Sequence, residues 1–236
     1  MTLLSGYSAR GDVPVIIAIV QARLGSQRFP HKMFADLCGR PMLWWVLDRL
    51  KRSKWLYQIV VATPDKEIVE YTQGQGCWGY LYNGDPNNVL DRYIKAANWS
   101  NAEIVVRITG DCPLIDAELV DKTIKGYIEN RVDISTNVLR RSYPRGMDVE
   151  VLHRNTLKRL YHLTDDSNYR EHVTLYAYEN PALFKWQSII DKYDYSTFNV
   201  SVDTEKDLDR VKQILSCVSE PIYHTDISNW FVKGGY

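Results

Sequence analysis

The stretch "VIIAIVQARLGSQRFPHK", Val15 to Lys32, decides how the rest of the chain is read. Val15 to Val20 is apolar without a break, the pattern of a strand covered on both faces in a parallel sheet. Polarity then switches. The loop from Gln21 onward carries Arg23, Arg28 and Lys32 together with Gly25, Ser26 and Pro30. In open parallel sheets, ligands bind at the carboxyl ends of strands. A turn at such a place exposes backbone N–H groups, and Gly25 and Ser26 let the backbone approach a ligand closely. Two guanidiniums and an ammonium added to that turn favour a polyphosphate. A solvated loop with its charges paired to nearby acids is the plainer alternative, and the position after the first strand weighs against it. Neither GxxxxGK[ST] nor GxGxxG is present, so this is neither a P-loop nor a Rossmann fingerprint.

Working outward, the same strand-then-helix rhythm repeats. "RPMLWWVLDRLKRS" is an amphipathic helix with Pro41 near its start, and "YQIVVAT" is a second buried strand. "PDKEIVEYTQGQG" reads as a helix, "CWGYLYN" as a strand and "DPNNVLDRYIKAANWS" as a helix. "AEIVVRIT" is a fourth strand, closed by "GDCP", and "DAELVDKTIKGYIEN" is the helix after it. This order predicts an α/β fold, a mostly parallel central sheet flanked by helices on both faces. The second half is more mixed. "VDISTNV", "MDVEVLH", "KWQSII" and "FNVSVDT" read as strands; "NTLKRLYHLTD", "SNYREHVTLYAYENP" and "EKDLDRVKQILSCV" read as helices. We expect a flexible N-terminal tail over 1–14 and a single domain over 15–236, with a segment around 137–150 that could serve as a dimerisation arm.

Lys+Arg and Asp+Glu are equal at 29 each, which leaves no basic field for nucleic acid and makes the cationic loop a local feature. The run "VPVIIAIV" is too short to span a bilayer, and the N-terminus lacks a secretory pattern, so a cytoplasmic protein is expected. The four cysteines form no CxxC pair and read as reduced.

Two aspartates extend the site. Asp111 follows a buried strand and Gly110, and a carboxylate there can face phosphates through a divalent metal. Asp203 closes "FNVSVD" before another helix. Either could instead be a helix cap or turn residue. Together they could complete a Mg²⁺ site, since Mg²⁺ takes one or two carboxylates plus substrate phosphates.

With these residues in view, "AIVQARLGSQRFPHKMFADLCGRPML" resembles the opening motif, ARxxSxRxPxK, of the cytidylyltransferases that activate acylneuraminates and 3-deoxy-manno-octulosonate (KDO). "GDPNNVLDRY", "VVRITGDCPLID", "YPRGMDVEVL", "YREHVTLYAYENP" and "VSVDTEKDLDRV" are still more similar to the branch named for the spore-coat polysaccharide protein SpsF. The resemblance covers roughly residues 15–215, in ordered blocks. It implies a nucleotide-diphospho-sugar transferase-like fold, CTP as nucleotide and a homodimer. It implies that Arg23, Ser26, Arg28 and Lys32 hold the triphosphate, that Asp111 and Asp203 bind Mg²⁺, and that Ala22 and Thr109 lie near base or ribose. Where the KDO enzymes read "PGK" and "QGDEP", this chain has "PHK" and "TGDCP".

The expected reaction is transfer of CMP from CTP to a sugar acid or other polar acceptor with loss of pyrophosphate, in surface polysaccharide biosynthesis. Arg23, Arg28, Lys32 and Asp111 would carry catalysis. For the acceptor we expect Arg145, Asp148, Glu150, Arg170 and His172, with Arg145 or Arg170 holding a carboxylate or phosphate. A nucleotide-sugar-dependent glycosyltransferase of similar fold is the competing reading; it would need a DxD-like motif, and "GDCP" has one acid. A binding protein that has lost its chemistry would have no need to keep all five charged groups.

Overall fold

The structure, a computed structural model, describes residues 14–234. The expected N-terminal tail lies outside the described residues except for Pro14. The apolar run becomes β1 (Ile16–Gln21), and the loop after it ends in a short 3₁₀ turn at Lys32–Phe34. A small hairpin follows, β2 (Asp36–Leu37) and β3 (Arg40–Pro41). It turns through Cys38 and Gly39 at φ 53° and 79°, the paired positive values of a tight I′-type turn. Then come α1 (Met42–Leu50), β4 (Gln58–Thr63), α2 (Lys66–Gly74), β5 (Trp78–Leu81), α3 (Val89–Trp99), β6 (Ile104–Thr109) and α4 (Ala117–Asn130). The second half runs β7 (Ile134–Thr136), β8 (Glu150–His153), α5 (Arg154–Leu163), α6 (Ser167–Glu171), α7 (Leu175–Glu179), β9 (Trp186–Ser188), α8 (Glu205–Cys217) and α9 (His224–Val232).

The seven-stranded sheet has the order β5-β4-β1-β6-β8-β7-β9. The four strands of the strand-helix repeats are mutually parallel, β5 to β4 to β1 to β6. β8 enters antiparallel to both β6 and β7, and β9 pairs parallel to β7. Strand alternation sorts β1 between two cores. Ile16, Ala18 and Val20 pack with residues of α1, α4 and α8; Ile17 and Ile19 pack with residues of α3 and α5. The sheet is thus covered on both faces, as the unbroken apolar run requires.

Three expectations are corrected. "SNYREHVTLYAYENP" is not one helix. It breaks between α6 and α7 at Val173, which sits at φ 50° with the Thr174 N–H donating to the His172 carbonyl at 2.6 Å. A buried β-branched residue in that region is strained, and such strain persists only where packing imposes it. Second, "FNVSVDT" is extended but joins no strand ladder. Its backbone partners lie in loops: Arg145 bridges Asn199, and Val202 N–H donates to the Asp111 carbonyl at 2.9 Å. Third, α9 was not anticipated; its β-branched and short polar residues give weak helical signals.

Candidate active site

Three segments distant in sequence meet at the carboxyl end of β1 and β6. The loop after β1 is folded on itself: His31 and Ser26 N–H groups both donate to the Leu24 carbonyl, and Leu24 N–H donates to Asp65 Oδ2 at 2.8 Å. The end of β6 presses against this loop at Gly110. A Cβ there would lie 2.9 Å from the Gln21 carbonyl oxygen and 3.0 Å from Met33 Sδ, so no side chain fits. The third segment, 199–203, is drawn alongside by the Val202–Asp111 backbone bond. Thr204, not Asp203, caps α8, in a capping box with Asp207. Asp116, not Asp111, caps α4. Asp111 and Asp203 are therefore released from capping and face each other.

Lys32 lies between them. Its side chain is 8% exposed, and its ammonium donates to Asp111 Oδ2 at 3.1 Å, Asp203 Oδ1 at 3.0 Å and the Val202 carbonyl at 2.8 Å. All three of its donors have partners. Lys32 therefore serves chiefly to align two carboxylates. Arg28, largely exposed, reaches the other Asp203 oxygen at 3.2 Å. Burial works against the charge on Asp111, but Lys32 and the hydrogen bond from Thr109 outweigh it and hold this carboxyl below its ordinary range. Burial pushes the neighbouring Cys112 thiol well up, with Asp111 adding to it, so that sulfur is an inert neighbour.

These groups open onto a cleft of about 470 Å³, a volume suited to a small ligand. Ala22, Arg23, Ser26, Thr109 and His172 also line it, as the sequence led us to expect. Arg23 donates to Asn87 Oδ1 at 3.1 Å and is shared with a second, larger cavity of about 1120 Å³, which Gln27 and Glu171 also border. Arg170 lines that second cavity, stacked 3.3 Å from the Tyr161 ring centre and paired with Asp165 at 2.9 Å.

Three expected acceptor residues are elsewhere. Arg145 is exposed and lines neither cavity; its backbone is occupied in the bridge to Asn199. Asp148 forms a two-pronged pair with Arg141, at 2.6 and 2.9 Å. Glu150 is 2% exposed and does not reach the cleft. It stands opposite Arg107 on β6 and is ion-paired with it, while its other oxygen accepts from Thr174 at 2.8 Å and Tyr178 at 2.5 Å. In its place two arginines enter the cleft wall that sequence reasoning had not singled out, Arg107 and the buried Arg92. Burial pulls the Arg92 guanidinium down from its ordinary value. An arginine at position 107, inside a strand that is apolar on either side, was the signal available for the first.

A family model described as cytidylyltransferase matches residues 17–225. The chain belongs to the cytidylyltransferase family. The relatives of this cytidylyltransferase include the spore coat polysaccharide biosynthesis protein SpsF of Bacillus subtilis, 30% identical over 216 residues, which spans 87% of this chain and 88% of that protein. The 3-deoxy-manno-octulosonate cytidylyltransferase of Geobacter sulfurreducens is 37% identical over 115 residues, 49% of this chain and 46% of its own. A solved cytidylyltransferase structure from Leptospira borgpetersenii superposes with a TM-score of 0.86 at 30% identity, covering 94% of this chain and 95% of that one. The fold and the nucleotidyltransferase class expected from the sequence are thus both met.

A cytidylyltransferase of this construction has a limited set of metal donors. Among the described residues, no group of three or more His, Cys, Asp or Glu is placed to hold a metal ion. Asp111 and Asp203 nevertheless converge on one ammonium from two segments, with side chains 30% and 36% exposed to the cleft. Two carboxylates and no soft ligand fit Mg²⁺, which takes its remaining oxygens from substrate phosphates and water. Among the described residues, no helix is long and apolar enough to cross a membrane.

Proposed function

We propose that this cytidylyltransferase moves CMP from CTP to a sugar acid destined for a surface polysaccharide, working in the cytoplasm with Mg²⁺. The observation that carries the reading is the Asp111–Lys32–Asp203 grouping, open to the cleft and set beside Arg23, Ser26 and Arg28. An acceptor oxygen attacks the α-phosphorus, and pyrophosphate departs. Such a reaction asks the protein mainly for alignment and charge stabilisation. Arg28, reaching in from the exposed side, would meet the leaving pyrophosphate. Arg23, between the two cavities, is suited to the α-phosphate where nucleotide and acceptor join. Lys32 holds Asp111 and Asp203 in register. Mg²⁺ held by Asp111 and Asp203 would supply positive charge for the reacting phosphate.

The relation to SpsF supports the polysaccharide assignment. A homodimer through 137–150 fits the neighbouring loop, which leaves Ile190 and Tyr193 exposed and is tied to that segment by Asp191 N–H to Ser142 Oγ at 2.7 Å.

Calorimetric titration with CTP, UTP, GTP and ATP, with and without Mg²⁺, tests the reading. CTP alone should bind tightly and only with Mg²⁺, and Asp111→Ala should abolish that dependence. Preference for UTP, or CTP binding indifferent to Mg²⁺ and to the substitution, would refute it.

A further inference from the structure

Two guanidiniums line the wall of the cleft, and neither belongs to the cationic loop. Arg107 is held at one end. Its Nη1 is ion-paired with Glu150, a carboxylate fixed in turn by Thr174 and Tyr178. Occupation of Nη1 leaves the edge formed by Nε and Nη2, two parallel N–H donors of the spacing that matches a carboxylate. Arg107 Nε is buried and has no hydrogen-bond partner among the described residues. Arg92 is 2% exposed and is also left with a buried, unpartnered Nε. Its Nη1 donates to the Pro86 carbonyl at 3.3 Å, and it forms no ion pair with a described residue. A buried cation without an anion is costly, and so is a buried donor without an acceptor. Arg107 lies over the ring of Tyr93 at 5.7 Å from its centre, and the Tyr93 hydroxyl is itself committed to the Ile108 carbonyl.

We propose that Arg107 and Arg92 form the receptor for the acceptor's carboxylate, and that Glu150 is the positioning residue that turns Arg107 toward it. The proposal rests on the CMP transfer proposed above and names what recognises the acceptor. Charge balance selects the anion. Glu150 offsets Arg107, so the pair of arginines carries one net positive charge. A singly charged carboxylate neutralises it, whereas a phosphate dianion would leave surplus negative charge beside Glu171 at the cleft's border. The strained His172–Thr174 turn serves the same arrangement. It directs His172 to the cleft while Thr174 reaches back to Glu150.

The test labels the arginines with ¹⁵N and assigns the two Nε–H resonances with Arg92→Lys and Arg107→Lys. With CMP present, so that no transfer occurs, the protein is titrated with N-acetylneuraminate and glucuronate, with glucose as the uncharged control. Both resonances should shift with the sugar acids and stay put with glucose. Arg107→Lys keeps the charge opposite Glu150 but loses the two-pronged edge. It should weaken sugar-acid binding about tenfold or more while MgCTP affinity by calorimetry stays within about twofold. Glu150→Gln should displace the Arg107 resonance and weaken the same binding to a lesser degree, restored in neither case by added nucleotide. Sugar acids that move neither resonance while MgCTP still binds would overturn the receptor, as would an Arg107→Lys protein that loses MgCTP and sugar acid alike. Failure of MgCTP binding with the sugar-acid shifts intact would instead overturn the transfer reading and leave the receptor standing.

Discussion

The molecule contains the same small device twice. At the cleft, Lys32 sits between Asp111 and Asp203. Behind it, His224 at the start of α9 sits between Asp116 and Asp191, with Nδ1 3.1 Å from one carboxylate and Nε2 2.7 Å from the other. In each, one cation joins two aspartates brought together from distant parts of the chain. What differs is exposure and what the carboxylates already do. Asp111 and Asp203 are 30% and 36% exposed, do not cap, and face a cavity. Asp116 and Asp191 are 1% and 12% exposed; Asp116 also caps α4 and accepts from the His224 backbone N–H. The first grouping has oxygen to offer a ligand. The second has spent its acceptors on holding the last helix in place. A triad of charges is thus not a site by virtue of its members; free acceptor capacity and an open side make it one.

Substitutions should separate the two. Lys32→Met leaves two facing carboxylates without their shared cation, and should lower the rate of pyrophosphate release about 10²-fold or more. If it left the rate intact, the cleft grouping would be no more than a structural clamp. Asp116→Ala removes a cap and strips one partner from a half-buried imidazolium. It should cost about 3 kcal/mol, read as a fall of roughly 6–12 °C in Tm, with kcat and the KM for CTP unchanged below the transition. A loss of activity without loss of stability would erase the distinction drawn here.

The smallest effect concerns pH. Burial opposes the charged form of His224, but Asp116 and Asp191 outweigh it and raise the ring above its ordinary 6.5. A group raised on folding contributes stability in full below its unfolded value and loses it as pH climbs through the folded one. Asp116, held below its ordinary 3.8, contributes above that value and loses it as pH falls. The clamp is therefore strongest between these limits. Tm should decline as pH is raised from below 6.5 through neutrality, and His224→Gln should flatten that decline. A slope unchanged in His224→Gln would place the titrating group elsewhere.

The sequence disclosed the parallel half of the fold because strands buried on both faces appear as apolar runs, and it disclosed the loop because three cations in a turn have few uses. Asp111 and Asp203 were legible as strand-end or pre-helix acids. Their pairing at one metal site was also within reach, but not what builds it: the Val202–Asp111 backbone bond that draws the segments together and the Lys32 ammonium between the two carboxylates. Glu150 shows the limit most clearly. The sequence put it with Asp148 among the acceptor contacts, on the segment "MDVEVLH". Register instead sets it opposite Arg107, on a strand more than forty residues earlier, where it is enclosed. Periodicity identifies faces of a strand; it does not say which strand lies alongside.

Gly110 bears on how this site could change over generations. The loop that carries the cations and the strand end that carries Asp111 touch there with no room for a methyl group, and the nearest obstacle is a backbone oxygen that no rotamer change can move. Gly25, a few residues into the loop, meets no atom within 4 Å. Under selection for activity, a randomised library should return a broad alphabet at position 25 and glycine alone at position 110. The cleft wall around Arg107 could then drift while the seam between the cationic loop and the end of β6 stays closed to variation.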